Sequence, residues 1–159
     1  MNIRLFQSQD AEQIAHLFHD TVRQVNCRDY SASQVAAWAP DDLYFRNWRQ
    51  VCADRYTFVA EDVAEAAGLI LGFGELEPNG HIDCFYCHKD YQGRGVGRQL
   101  YRAIENQAID LGLDRLFVEA SITARPFFER LGFAVVQAQQ VTCRGEVFTN
   151  YAMQKLVSH

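Results

Sequence analysis

The chain has 159 residues, 48% of them hydrophobic, which is enough for one well-cored domain spanning residues 1–159 and excludes collagen, coiled-coil and disordered chains. Fifteen Lys and Arg residues against twenty Asp and Glu residues give a net charge of -5, so no net positive field favours nucleic acid. The N-terminal segment lacks the regions of a signal peptide, and no apolar run is long enough to span a bilayer. Five scattered cysteines predict reduced thiols. We therefore expect a cytoplasmic protein that binds neither nucleic acid nor a membrane.

The chain begins with a predicted strand and two predicted helices. Residues 2–6 alternate between polar and apolar side chains, as a strand does. Asp10 and Gln13 form a capping-box pattern ahead of a helical apolar stripe, and Ser31 and Gln34 repeat that pattern. A long amphipathic helix and a shorter helix should therefore follow the first strand.

A third helix and three strands are predicted next. Pro40 ends the short helix, and Asp41 with Asp42 should open another helix that carries Trp48 and Cys52. Three segments rich in β-branched, aromatic and aliphatic residues then follow, at 55–60, 68–76 and 82–87. Turn residues separate the last two, so these segments predict an antiparallel meander.

The last third of the chain predicts alternating helices and strands. Glycines at 93, 95 and 97 precede a helical apolar stripe that ends at Gly112. A strand, a short helix and two further strands are predicted at 116–120, 124–131, 133–141 and 147–153. This order of elements predicts an α/β fold in which helices cover both faces of one mixed sheet.

The segment between the third strand and the following helix is the motif that most directly indicates a ligand. Glycines let a backbone approach a ligand, and the free N–H groups of a first helical turn suit a pyrophosphate. The motif consists of Gln92, Gly93, Arg94, Gly95, Val96, Gly97 and Arg98. A Rossmann loop would need glycine at 98, and the Gly-Lys-Ser/Thr of a Walker loop is absent. A glycine-rich turn without a ligand is the alternative interpretation.

This loop and a later segment together resemble a known family. A strand, Gln-x-x-Gly-x-Gly, a helix, a strand and then ARPFFERLGF at 124–133 are similar to the GNAT superfamily of acetyl-CoA-dependent N-acetyltransferases. Segments 29–40, 121–133 and 143–153 further resemble a bacterial subgroup of acetyltransferases with unidentified acceptors. The resemblance implies a mostly antiparallel sheet of about seven strands, acetyl-CoA as co-substrate without a metal, and an amine acceptor. Homodimers occur in the family, so the resemblance also suggests a homodimer.

The resemblance also implies which residues bind the co-substrate. The strand before the loop would splay from its neighbour and offer free backbone groups to the pantetheine arm at Phe85, Tyr86 and Cys87, while residues 92–98 would hold the pyrophosphate. Ser121 stands where the family often has an Asn that contacts the pantetheine. Phe128 stands where the family often has a Tyr that protonates the leaving thiolate. This departure leaves the general acid open among Ser121, Tyr151 and water.

A general base is also needed, because a primary amine with a pKa of about 10.4 is protonated at pH 7 and exposing its lone pair costs about 4.6 kcal/mol. Because every second side chain of a strand points to the same face, we expect one face of this strand to carry His81, Asp83, Phe85 and Cys87. His81 lies eleven residues before Gln92, where some family members have a catalytic Glu. Asp83 is the first candidate for the base, His81 is the second, and Glu75 could hold a relay water. The alternatives are a carboxylate paired within the sheet and a solvated histidine.

The residues of the acceptor pocket, a Cys-x-x-Cys-His string and the histidines of the first helix are the remaining candidates. By family analogy the acceptor pocket would involve Asp29, Tyr30, Trp38, Tyr44, Trp48, Arg144 and Glu146, although Trp38 and Trp48 also fit a core. Cys84-x-x-Cys87-His88 matches a haem-attachment string, but an odd spacing in a strand puts the two sulfurs on opposite faces. The histidines of the first helix are interpreted as part of a solvated face.

The sequence therefore predicts direct transfer of an acetyl group from acetyl-CoA to a primary amine of a small molecule or a peptide. Two alternatives remain open at this point. One is a non-catalytic acyl-CoA-binding module, suggested by Phe128 at the acid position. The other is a transferase that uses a different acyl-CoA.

Overall fold

The computed structural model describes residues 1–157, which form seven strands and five α-helices. The strands are β1 (Asn2–Leu5), β2 (Tyr56–Glu61), β3 (Ile70–Leu76), β4 (His81–Cys87), β5 (Arg115–Ser121), β6 (Ala134–Cys143) and β7 (Glu146–Leu156). The helices are α1 (Ala11–Gln24), α2 (Ala32–Trp38), α3 (Trp48–Ala53), α4 (Val96–Asp110) and α5 (Arg125–Arg130), with 3₁₀ turns at Ser8–Asp10 and Asn26–Arg28.

The strands form one sheet in the order β1-β2-β3-β4-β5-β7-β6, in which β4 and β5 are parallel and every other pair is antiparallel. Residues of α1, α2 and α3 pack on one face around Phe18, Trp48 and Phe73. Residues of α4 and α5 pack on the other face around Ile104 and Phe128. The predicted mixed, mostly antiparallel sheet with helices on both faces is confirmed. None of the helices in residues 1–157 is long and apolar enough to cross a bilayer.

The parallel strands β4 and β5 separate after a short contact. His81 pairs with Phe117 and Ile82 pairs with Val118, and the register extends no further in the described residues. Backbone groups of β4 beyond Ile82 that face β5 therefore have no strand partner. This fork in the sheet is the feature that the resemblance predicted for the strand before the glycine loop.

A β-bulge lies inside β4 and changes which side chains share a face. Gly74 pairs with Phe85 whereas Leu76 pairs with Ile82, so β4 has one more residue than β3 over this stretch. The prediction that His81, Asp83, Phe85 and Cys87 share one face is therefore wrong. Side chains alternate strictly between the two faces only in a strand without a bulge, and the extra residue shifts this alternation. His81 and Asp83 lie on the α1 side of the sheet, and Phe85 and Cys87 lie on the α4 side. The two sulfurs of Cys84 and Cys87 are on opposite faces, as predicted.

Two predicted helix starts also differ in the structure. The third helix begins at Trp48 rather than at Asp41 and Asp42, because Asn47 Oδ1 caps it by accepting from the Gln50 N–H at 3.2 Å. The carboxylate of Asp42 instead accepts from the Tyr44 N–H in a local turn.

The capping box that was predicted at Asp10 and Gln13 does not form. The Asp10 side chain makes no cap hydrogen bond to α1 and instead accepts from Arg4 and from the Gln7 N–H. Gln13 bonds the backbone of Gly68 and Ile70 across the fold. The box at Ser31 and Gln34 forms as predicted.

Candidate active site

A cleft of about 570 Å³ opens where β4 and β5 separate. It is lined by residues of β4, the first turn of α4, the end of β5 and α5, and on the α1 side by residues of α1, α2 and the 3₁₀ turn Asn26–Arg28. It brings together all the predicted co-substrate residues except Arg94, whose guanidinium lies 5.1 Å from the centre of the Tyr91 ring. Arg98 and Arg130 add positive charge to the wall of this cleft.

The glycine loop has the backbone conformation that its composition indicates. Gly93 and Gly95 have φ of 70° and 83°, a region that favours glycine, and Gly95 caps the N-terminus of α4. A Cβ on Gly97 would lie 2.9 Å from the Phe127 ring, so this glycine lets α4 approach α5 closely. The Gln92 side-chain amide donates to Cys87 O at 2.8 Å, which ties the loop to the end of β4. Gln92 thus orients the loop, and the helix N-terminus faces the cleft.

The acid position in the cleft is apolar. Phe128 is 2% exposed and packs edge-on against Phe85 and Phe133. Of the two polar side chains left open by the sequence, Ser121 lines the cleft, whereas Tyr151 lies outside its described lining and stacks with Arg125 at 4.4 Å. Ser121 Oγ accepts from the Ala124 N–H at 3.0 Å, and its own O–H has no acceptor among residues 1–157.

A second pocket, of about 340 Å³, lies on the α1 side of the sheet. Of the predicted acceptor residues, Tyr30, Trp38, Trp48 and Arg144 line it, together with further aromatic side chains at Phe18, Phe45, Tyr86 and Phe148. Asp29, Tyr44 and Glu146 do not line it: Asp29 accepts a hydrogen bond from Thr123 Oγ1, and Tyr44 is 56% exposed. We call this the aromatic pocket.

The cleft and the aromatic pocket meet at the fork in the sheet. Among residues 1–157, five line both cavities: Trp38, Asp83, Tyr86, Glu119 and Ser121. Two of these carry carboxylates, and they come from the two strands that separate. Two ligands, one in each cavity, would therefore meet beside carboxylate side chains.

Asp83 and Glu75 belong to a cluster with two arginines. Glu75 is fully buried, and its carboxylate accepts a bidentate pair of bonds from Arg46 at 2.8 Å each and one bond from Arg55 at 2.9 Å. Asp83 Oδ2 accepts from Arg46 Nη2 at 3.2 Å and from Arg55. Burial lowers the pKa of Arg46, but its hydrogen bonds to Glu75 and the nearby negative charges, including Glu75 and Asp83, together raise that pKa above its ordinary value. Glu75, Asp83 and Cys84 could group around a cation by distance, but the guanidiniums already occupy the carboxylate oxygens.

His81 and Glu119 form a second charged pair at the fork. His81 Nε2 lies 2.5 Å from Glu119 Oε2, and His81 Nδ1 lies 3.0 Å from Glu77 Oε1. Burial opposes the charged imidazole, yet hydrogen bonds to Glu77 and Glu119 raise the pKa of His81 above its ordinary value. The Glu119 side chain is 44% exposed and lines both cavities, so it is reachable by a ligand.

The raised pKa of His81 predicts a pH-dependent stability. Because the folded-state pKa exceeds the unfolded value of about 6.5, the contribution of His81 is fully present below that value and is lost as pH rises through the folded-state pKa. Thermal unfolding measured from about pH 5.5 to pH 9 should therefore show that Tm falls as the pH rises above the unfolded-state pKa of His81. This fall in Tm should be smaller in His81→Gln. His16→Gln, on the exposed side of α1, should keep the wild-type pH dependence. Equal slopes in wild type and His81→Gln would contradict this assignment.

Sequence reasoning missed Glu119, Arg46 and Arg55. Glu119 lies between Val118 and Ala120 on a strand, so its alternation with two buried apolar residues was the available signal. No pattern in the sequence indicates that Arg46 and Arg55 reach Glu75, because the contacts join positions 29 and 20 residues apart.

Comparison with known proteins agrees with this geometry. Residues 26–155 match the family model of the acetyltransferase (GNAT) domain. The chain is 34% identical over 159 residues to the uncharacterised N-acetyltransferase YafP of Escherichia coli K12, covering 98% of that protein. A crystal structure of a GCN5-related N-acetyltransferase from Rhodopseudomonas palustris superposes with a TM-score of 0.88 at 32% identity, over 98% of this chain and 94% of that one.

A more distant structure shares the fold alone. PaiA N-acetyltransferase from Thermoplasma acidophilum in complex with coenzyme A has a TM-score of 0.78 at 16% identity, over 98% of each chain. Both the family model and YafP extend over most or all of the chain, so the likeness is not confined to the glycine loop. The chain belongs to the GNAT family of acetyltransferases.

Proposed function

We propose that acetyl-CoA binds in the cleft, that a primary amine of a small molecule enters the aromatic pocket, and that the acetyl group passes directly between them at the fork. One observation carries this proposal: the cleft and the aromatic pocket meet at the fork in the sheet, where they share Trp38, Asp83, Tyr86, Glu119 and Ser121. Binding both reactants side by side would replace a bimolecular collision by a reaction within one complex.

The residues of the cleft fit the parts of coenzyme A. The β5-facing backbone of β4 beyond Ile82 lacks a strand partner, which supports hydrogen bonding to an extended pantetheine arm. The N-terminus of α4 with Gly93 and Gly95 supports binding of the pyrophosphate. Arg98 would add charge, and a backbone N–H of β4 near Tyr86 would polarise the thioester carbonyl, an effect worth about 2.7–4 kcal/mol in other acyl transfers.

The base is proposed to be Glu119, oriented by His81, acting directly or through water. Asp83 is the second candidate, because protonating its Oδ2 would weaken contacts to two guanidiniums. Glu75 has both oxygens occupied by Arg46 and lines neither cavity, so we assign it to positioning Arg46 rather than to holding a relay water. As the amine nitrogen bonds to the acetyl carbon, its proton would pass to the base.

As the carbon–sulfur bond breaks, the leaving thiolate is proposed to take a proton from water, either directly or through the Ser121 hydroxyl, which regains a proton from water. A thiol with a pKa of about 8.5 is only about 1.5 units from pH 7, so a missing acid costs less than a missing base. Burial raises the pKa of Cys87 to about 12, which argues against a covalent relay through this thiol.

The experiment that tests the function is acetyl transfer from acetyl-CoA to a panel of amines, followed by mass spectrometry of the acetylated product. Small amines with an apolar body should be acetylated, because the pocket is lined by aromatic side chains and has a volume of about 340 Å³. Lysine-bearing peptides should react more slowly. If acetyl-CoA binds and no amine is acetylated, a binding module becomes the better interpretation.

The glycine loop supplies a separate test of the co-substrate site. Gly95→Ala should raise the Kd for acetyl-CoA about tenfold, because φ of 83° disfavours a Cβ by roughly 1–2 kcal/mol and the loop would relax away from its present shape. Gly112→Ala is the matched control, since Gly112 has φ of 74°, equally open surroundings and a place at the other end of α4. Calorimetry should give the wild-type Kd for Gly112→Ala, and equal Kd changes in both variants would contradict the site.

The remaining expectations from the sequence are part of the same proposal. One sheet includes strands from residues 2 to 156, which supports a single domain. A cytoplasmic location is supported by cysteines that are all free. Bacterial relatives support a bacterial source. The homodimer implied by the resemblance is testable by light scattering.

A further inference from the structure

Arg144 occupies a backbone position that disfavours it. It has φ of 47°, the only positive φ outside glycine among residues 1–157, and Gly145 beside it has φ of 82°. Cys143 pairs with Glu146 across the turn, so Arg144 and Gly145 form a two-residue hairpin between β6 and β7. Such turns favour Asn-Gly, because Asn tolerates the left-handed region better than Arg. The presence of Arg therefore points to a use for its side chain.

The side chain of Arg144 is held at the edge of the aromatic pocket. Its Nη1 donates to Ala37 O at 2.8 Å, and its guanidinium lies 4.8 Å from the centre of the Phe45 ring. No carboxylate of residues 1–157 pairs with it. Arg46, the other arginine lining the pocket, is neutralised by Glu75 and Asp83. Arg144 is thus a fixed cation that has no anionic partner within the described chain.

The aromatic pocket has chemically different ends. Asp83 and Glu119 lie at the inner end, because they also line the cleft, whereas Arg144 and Phe45 line the aromatic pocket alone. The polar groups of the aromatic walls are used within the fold, since Tyr30 Oη donates to Thr149 O and Trp48 Nε1 donates to Leu43 O. A ligand in this pocket could therefore reach the carboxylates at the fork, the aromatic walls, the Arg144 guanidinium and Asn150 Oδ1, which is buried without a hydrogen-bond partner in residues 1–157.

We infer that the acceptor is an amino carboxylate in which an apolar, ring-sized body separates the primary amine from the carboxylate. The carboxylate binds Arg144, and the amine faces Glu119 at the fork. This inference rests on the proposed function, because it assigns the substrate class of the same site. A charge-assisted hydrogen bond of this kind corresponds to about ten- to a hundredfold in affinity.

The test uses 4-(aminomethyl)benzoate and its methyl ester, which share the amine and the ring and differ in the charge at the far end. Wild-type kcat/KM should be at least about tenfold higher for the acid. Arg144→Asn keeps a residue suited to the left-handed turn and removes the guanidinium, so it should abolish this preference, mainly through the KM of the acid. Arg49→Gln, on the exposed side of α3, should keep the wild-type preference.

Binding measured without turnover separates this inference from the proposed function. Calorimetric titration of both compounds into the protein saturated with coenzyme A should show tighter binding of the acid, lost in Arg144→Asn. If the acid binds in this way and no product forms, the transferase proposal fails and the ligand assignment stands. Equal binding and turnover of acid and ester, or a preference that survives in Arg144→Asn, would overturn the inference.

Discussion

Replacing Glu119 with Gln is expected to lower kcat for acetyl transfer about 100-fold, with little change in the Kd for acetyl-CoA. The substitution preserves size and hydrogen bonding but removes the group proposed to take the amine proton, and general bases contribute about 10²–10⁴ to the rate. Glu119 faces both cavities, so the loss should appear at saturating concentrations of both substrates. Mass spectrometry of the acetylated amine measures it directly.

Two further variants test whether Glu119 or Asp83 is the general base. Glu129→Gln removes an exposed carboxylate of α5, 47% exposed beside Arg125, and should keep wild-type turnover. Asp83→Asn should reduce turnover less than Glu119→Gln does, because Asp83 Oδ2 is already shared by two arginines. If Asp83→Asn costs about 100-fold while Glu119→Gln stays near wild type, the base is Asp83 instead.

Replacing Glu75 with Gln is expected to destabilise the fold by about 3 kcal/mol, or about 6–12 °C in Tm for a chain of this size. Glu75 is fully buried and its carboxylate contacts both Arg46 and Arg55, whose side chains are 17% and 22% exposed. Without the carboxylate, Arg46 would keep only Asp83, whereas Arg55 would keep Asp83 and Glu77, whose Oε1 lies 3.3 Å from Arg55 Nη2. Removing one partner of a buried ion pair leaves uncompensated charge, which costs more than the pair contributes.

The same exposed variant serves as the control for stability. Glu129→Gln removes a surface partner four residues from Arg125, and such pairs contribute less than about 0.5 kcal/mol. Thermal or denaturant unfolding of the two variants gives the comparison. A Glu75→Gln protein as stable as Glu129→Gln would show that the buried cluster is not needed for the fold. We also expect Glu75→Gln to weaken acceptor binding, because Arg46 lines the aromatic pocket.

Local patterns in the sequence predicted most elements of the fold. The glycine loop, the helix that follows it and the alternating strands depend on residues close together in the chain, and all of them form near the predicted positions. The capping box at Ser31 and Gln34 formed for the same reason. The predictions failed where a distant contact competed with a local pattern: Asp10 binds Arg4 instead of capping α1, and Asn47 takes over the start of α3.

The sequence by itself determined the element order, the glycine loop at the N-terminus of α4 and, through resemblance, the family and most of the residues proposed to bind the co-substrate. The tertiary structure decided which side chains meet at the fork in the sheet. An extra residue in β4 moved Phe85 and Cys87 to the face opposite Asp83. The fork between β4 and β5 brought Glu119 to the junction of two cavities. These features depend on strand register and on contacts between residues distant in the chain, which no local periodicity contains.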